Sequence, residues 1–143
     1  MLPEIRADTS FWLMLALLFL ILPVSWVISA LLAAAIHEIC HLAVLWVRRS
    51  PVHELKLTFG GARIKTSPML PQEELMAALA GPAGSFLLVT GIHLFPRLGI
   101  CALIQGCINL LPLGDLDGAR ILRSGFELLP GKRPCKQKKI GVQ

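Results

Sequence analysis

From Thr9 to Val47 the chain carries a single charged side chain, Glu38, in an otherwise apolar run. As one continuous helix this run would measure roughly 58 Å, about twice a bilayer's hydrocarbon core of ~30 Å. Two helices are therefore expected, parted at Leu22-Pro23-Val24-Ser25, because proline interrupts a helix at the preceding turn. The pattern then changes period. Leu55, Leu57 and Phe59 alternate with Lys56 and Thr58, and Ala62 and Ile64 alternate with Arg63 and Lys65. Alternation on both sides of Gly60-Gly61 predicts a β-hairpin, and a turn at the two glycines places Phe59 opposite Ala62 and Leu57 opposite Ile64. A third helix is expected to start at Pro71, with Glu73 and Glu74 at the positive end of its dipole, and to continue through Leu75–Phe95. Small residues at Ala80-Gly81-Pro82-Ala83-Gly84-Ser85 suit close helix contact and a kink. Pro96-Arg97-Leu98-Gly99 reads as a turn, and Leu98–Leu113 as the last apolar run, ended by Pro112 and Gly114.

Composition agrees with this pattern. The chain is 143 residues long, 55% hydrophobic and only 16% charged, which suits one membrane bundle rather than a soluble domain. The run from Phe11 extends well past the core of a secretory signal, so it reads as a retained span. The expectation is an all-α membrane bundle of about four transmembrane helices, with a short membrane-associated β-hairpin between spans two and three. Residues 1–123 would form the core and 124–143 a basic tail.

The net charge of +5 does not point to nucleic acid, because the basic residues flank apolar segments and leave no basic face. With four spans, 13 of the 14 Lys and Arg fall on the side holding both termini and the hairpin. The positive-inside bias makes that side cytoplasmic. Cys40, Cys101 and Cys107 lie in apolar segments and Cys135 in the basic tail, so they read as reduced thiols rather than a disulfide framework.

His37-Glu38-Ile39-Cys40-His41 is the sharpest local signal. Positions i and i+4 share a helix face, so both imidazoles can reach one metal ion. Glu38, beside the first ligand, is placed to act as a base toward water activated there. Three ionisable groups in a membrane helix are costly and mark function rather than packing. A catalytic zinc needs a third protein ligand. His93 falls at the opposite membrane face, whereas Asp115 and Asp117 share the cytoplasmic depth of His37 and His41, and periodicity does not choose between them.

His-Glu-x-x-His in an early membrane helix, followed by Asn109-Leu110-Leu111-Pro112-Leu113-Gly114-Asp115-Leu116-Asp117-Gly118, resembles the site-2 protease family of intramembrane zinc metalloproteases. It is most similar to the compact bacterial type that includes stage IV sporulation protein FB. The resemblance extends to the Gly-Gly hairpin and to Ala80-Gly81-Pro82. It implies Zn2+ held by His37, His41 and Asp117, with Glu38 catalytic and Asn109 lining the site. It also implies a hairpin, with Phe59, Gly60 and Gly61 at its tip, that offers an edge strand to substrate. Cys40 stands where the family often has glycine, and Asp115 is an additional carboxylate.

The resemblance further implies hydrolysis of peptide bonds in or near transmembrane segments of a membrane-tethered protein, by a multi-pass protein of the cell membrane with its site near the cytoplasmic face. The lipid bilayer is a partner, nucleic acid is not, and a regulatory membrane partner or a homo-oligomer is compatible with this picture. The alternative is a non-proteolytic membrane metal-binding or adaptor protein; Glu38 speaks against it, since metal storage needs no base.

Overall fold

The computed structural model of the chain describes residues 4–58 and 61–129. Phe59, Gly60, Cys135 and the basic residues at 132–139 lie outside them. Among the described residues, five helices and a small sheet follow in the order β1 (Glu4–Ala7), α1 (Thr9–Ile21), α2 (Val24–Val47), β2 (Val52–Thr58), β3 (Gly61–Thr66), α3 (Pro71–Thr90), α4 (Pro96–Asn109) and α5 (Asp117–Glu127).

The apolar N-terminal run divides at Pro23, which caps α2. Asp8 caps α1 by accepting from the Thr9 amide at 2.9 Å, a short acceptor satisfying a backbone donor that the helix leaves free. Pro71 opens α3, and Pro82 lies inside it and is buried. Two boundaries depart from the sequence expectation. α3 ends at Thr90 rather than Phe95, and Pro96-Arg97-Leu98-Gly99 is the first turn of α4 rather than a connecting turn. Proline has no amide hydrogen, and at a helix's first positions none is needed, so the residue that suggested a break starts a helix.

The hairpin forms, in a different register and a larger sheet. β2 pairs antiparallel with β3, with Leu57 opposite Ala62 and Leu55 opposite Ile64. The shift from the expected pairing is two residues, so each side chain keeps its face. Thr58 pairs with Gly61, so the paired strands bracket Phe59 and Gly60 rather than Gly60 and Gly61. β1, which the mixed-charge N-terminal sequence did not announce, pairs in parallel with β2, Glu4 opposite Glu54 and Ala7 opposite Leu57. Among the described residues β2 is therefore central and β3 is the hairpin's edge strand.

α3 sits at the centre of the helical part, against α2, α4 and α5. Among the described residues the interior is lined mainly by small and polar side chains: Ala33, Ala77, Ala78 and Ala102 are buried with His37, His41, Ser85, Asp117 and Ser124, and Val27 and Leu45 are the larger apolar residues that join them. Most of the large apolar residues are exposed, among them Trp12, Leu20, Trp46 and Leu87. This is inverted relative to a water-soluble core, where large apolar side chains are the ones hidden. It matches packing in lipid, where small residues let helices approach and large ones meet acyl chains. By length and composition α2 alone among the described helices can cross a membrane unaided. At 13 and 14 residues, α1 and α4 reach only about 20 Å each.

Candidate metal centre

The i, i+4 spacing on α2 turns His37 and His41 toward α3, and both are almost wholly buried. Their rings meet edge to face with centroids 4.8 Å apart. Asp117 reaches them from the other end of the chain as the first residue of α5. Its Oδ2 lies 3.1 Å from Nε2 of each histidine, and the two Nε2 atoms are 3.1 Å from each other. Three potential ligand atoms thus form a nearly equilateral triangle.

The remaining ring nitrogens fix what that triangle can bind. His41 Nδ1 is 2.7 Å from the Ala77 carbonyl oxygen, which only accepts. Nδ1 must therefore carry the hydrogen, which leaves the lone pair on Nε2. His37 Nδ1 is 2.8 Å from Ser85 Oγ, and Asn109 Nδ2 lies 3.0 Å from His37 Nε2. An amide N–H there donates to a lone pair, so the His37 hydrogen is on Nδ1 and points at Ser85.

Two imidazole lone pairs and a carboxylate oxygen facing one another at 3.1 Å repel unless something positive sits among them. A tetrahedral zinc with bonds of ~2.0–2.1 Å would set its ligands about 3.3 Å apart, close to the triangle seen. Two nitrogens and one oxygen also match the donor set of catalytic zinc, with a fourth position left open. The residues fit the metal. Orientation of each histidine by a bond to its far nitrogen is the usual arrangement around such a site.

Glu38 follows His37 on α2 and is half-buried, and Asn109 is half-buried at the end of α4. Asp115 is exposed and stands outside the cluster. His93 is exposed in the turn between α3 and α4. The substrate-binding expectation at the hairpin falls partly on Phe59 and Gly60, outside the described residues, and Gly61 is the first residue of β3.

Several contributing residues were not expected at the site from the sequence, where Gly81 and Ser85 stand only for close helix packing. Ala77, Gly81 and Ser85 recur every four residues on α3 and so form one face, the face against the histidines. A Cβ on Gly81 would lie 2.6 Å from His37 Nε2 and 2.5 Å from His41 Cε1, so only glycine leaves the rings their space. Arg120, one turn along α5, has Nη1 3.8 Å from Asp117 Oδ1 and Nε 3.8 Å from Glu74 Oε1. It ties the outer oxygen of Asp117 to the first turn of α3. The signal for Ser85 was a hydroxyl within a run chosen for smallness, and for Arg120 a cation one turn after an aspartate.

No protein-family model matches the chain, and no curated protein matches it in sequence. Among solved structures, a site-2 protease from Methanocaldococcus jannaschii superposes with a TM-score of 0.72 at 21% sequence identity, over 89% of this chain and 69% of the other. With the inside-out packing and the buried triangle already described, that likeness identifies the fold of this chain as the site-2 protease fold.

Proposed function

We propose that this chain is an intramembrane zinc metalloprotease that hydrolyses peptide bonds in or near the transmembrane segments of membrane-tethered proteins. The observation that carries the reading is the triangle of His37 Nε2, His41 Nε2 and Asp117 Oδ2, three buried electron-pair donors at 3.1 Å from one another. The site-2 protease fold supports it. His37, His41 and Asp117 would hold the metal, and zinc, when bound, supplies Lewis-acid activation of water and of the scissile carbonyl. Glu38 is the proton acceptor, one residue from a ligand and half-buried. It takes a proton from the attacking water and returns it to the leaving amine. The Asn109 amide, already within hydrogen-bonding distance of His37, lines the cleft and binds the substrate backbone.

A helical substrate hides its carbonyls in hydrogen bonds and must be extended before attack. The hairpin's edge strand, β3, offers backbone groups to such a segment by strand addition. The basic flanks after α2 and within and beyond α5 favour a cytoplasmic site in a multi-pass arrangement.

The test is Glu38→Gln in purified, reconstituted protein, with zinc measured by elemental analysis and cleavage followed on tethered single-span reporters. The expected result is close to one zinc per chain and no cleavage. Cleavage by Glu38→Gln at the native rate would overturn the assignment of the base. A native chain that binds no zinc would overturn the metal centre.

A further inference from the structure

Backbone packing fixes where α5 begins but not how the Asp117 carboxylate is turned. Gly118 lies against the end of α4, so closely that a Cβ there would collide with the Leu110 and Leu111 carbonyl oxygens. The start of α5 is thereby seated on α4, while its length packs against α3. What remains free at Asp117 is rotation about the Cβ–Cγ bond, a torsion whose preferences are broad and roughly two-fold. That rotation decides whether one carboxylate oxygen or both face the two histidines.

Arg120 is placed to set it. Three residues on from Asp117, it occupies the same face of α5. Asp117 turns Oδ2 inward, 3.1 Å from Nε2 of each histidine. Its Oδ1 turns outward, 3.8 Å from Arg120 Nη1. Arg120 Nε in turn lies 3.8 Å from Oε1 of Glu74, in the first turn of α3. The side chains of Asp117, Arg120 and Glu74 are 9%, 27% and 18% exposed, so their attraction is screened less than that of a surface pair. A lone cation this near a divalent ion would oppose its binding. Glu74 offsets that charge and aims the guanidinium from a second helix.

We infer that Arg120, anchored by Glu74, is a positioning residue that holds Oδ1 of Asp117 away from the metal, so that the carboxylate offers a single oxygen. The inference rests on the proposed metal centre, with Asp117 as a ligand. Three ligands of one atom each leave the fourth position for water, as catalytic zinc requires. A carboxylate binding through both oxygens would crowd that position.

Cobalt(II) is the probe, because its visible absorption is strong with four ligand atoms and weak with five. The full chain is purified in detergent and loaded with cobalt in place of zinc. Metal content, absorption and thermal unfolding are then compared with Arg120→Met, Glu74→Gln and the double variant, and cleavage of a tethered reporter is followed in parallel. The native protein is expected to show the strong bands. Arg120→Met should keep its cobalt, lose most of the band intensity and lose about 10- to 100-fold in cleavage, the usual range for a group that orients a metal ligand. Glu74→Gln should shift the spectrum in the same direction by less. The double variant should match Arg120→Met, because Glu74 acts through Arg120. Unchanged bands in Arg120→Met with a lowered melting temperature would show an ordinary tie between helices and overturn the inference, as would weak bands in the native protein. Should Arg120→Met not fold, Glu74→Gln decides, and a native spectrum there overturns it. A native chain that binds neither cobalt nor zinc would overturn the metal centre itself.

Discussion

Gly81→Ala sets two effects of opposite sign against each other at the metal centre. In a helix interior this change ordinarily stabilises by ~1 kcal/mol, since glycine loses more backbone entropy on folding. In a protein of this size that is roughly 2–4 °C in melting temperature. At Gly81, however, the added methyl would sit 2.6 Å from His37 Nε2 and 2.5 Å from His41 Cε1, well inside a carbon–nitrogen contact. The rings have little room to retreat, because His37 Nδ1 is bonded to Ser85 and His41 Nδ1 to the Ala77 carbonyl. Overpacking of this kind costs about 1–3 kcal/mol, so steric strain matches or exceeds the helix gain, and it falls on the ligand atoms themselves. The expected outcome is a loss of roughly 5- to 150-fold in zinc affinity, that strain converted at about 1.4 kcal/mol per decade, with the melting temperature unchanged or lowered. Gly125→Ala is the control, since an added Cβ there meets nothing within 4 Å, and it should be neutral or slightly stabilising. Chelator competition and thermal unfolding in the same detergent measure both. A Gly81→Ala protein with native zinc affinity and a raised melting temperature would refute the reasoning.

Three further outcomes follow from the same geometry. Asp117→Asn should lose most of its zinc and all cleavage while Asp115→Asn stays near native; equal zinc loss from the two, by elemental analysis, would count against Asp117 as the ligand. Ser85→Ala leaves the His37 Nδ1–H without its buried acceptor and should weaken zinc binding by about 10-fold or more, with titration calorimetry as the check. Gly84→Ala drives a methyl onto Cys40, whose Cβ would be 3.1 Å away, and should lower the melting temperature. Cys40→Gly in the same chain should restore it, and purely additive losses would show that the two positions do not share that space.

Much of the local architecture was legible because it depends on neighbours in sequence. The break at Pro23, the start of α3 at Pro71 and the alternation of β2 and β3 each follow from backbone rules spanning a few residues. Pro96 shows the limit of such rules. A proline marks either a helix's end or its first position, and only the helix that follows decides which. The strand register slipped by two because alternation fixes which face a residue takes and leaves open which residue it meets.

The sequence by itself determined the pairing of His37 with His41, since i, i+4 geometry needs nothing beyond one helix, and it put Glu38 beside them. Between Asp115 and Asp117 residue pattern alone did not choose; resemblance to a family named Asp117, and the fold shows why the two differ. α5 begins at Asp117 and turns its carboxylate into the bundle, while Asp115 stays on the exposed connection. The tertiary structure also decided that Ala77, Gly81 and Ser85 face the histidines, that Arg120 bridges Asp117 to Glu74, and that β1 joins β2. His37 and Ser85 are 48 positions apart, and His37 and Asp117 are 80 apart. Partnerships at that distance are set by which helix faces pack together, and in this bundle the packed faces are built of alanine, glycine and serine, whose smallness marks a contact without naming the residue on the other side.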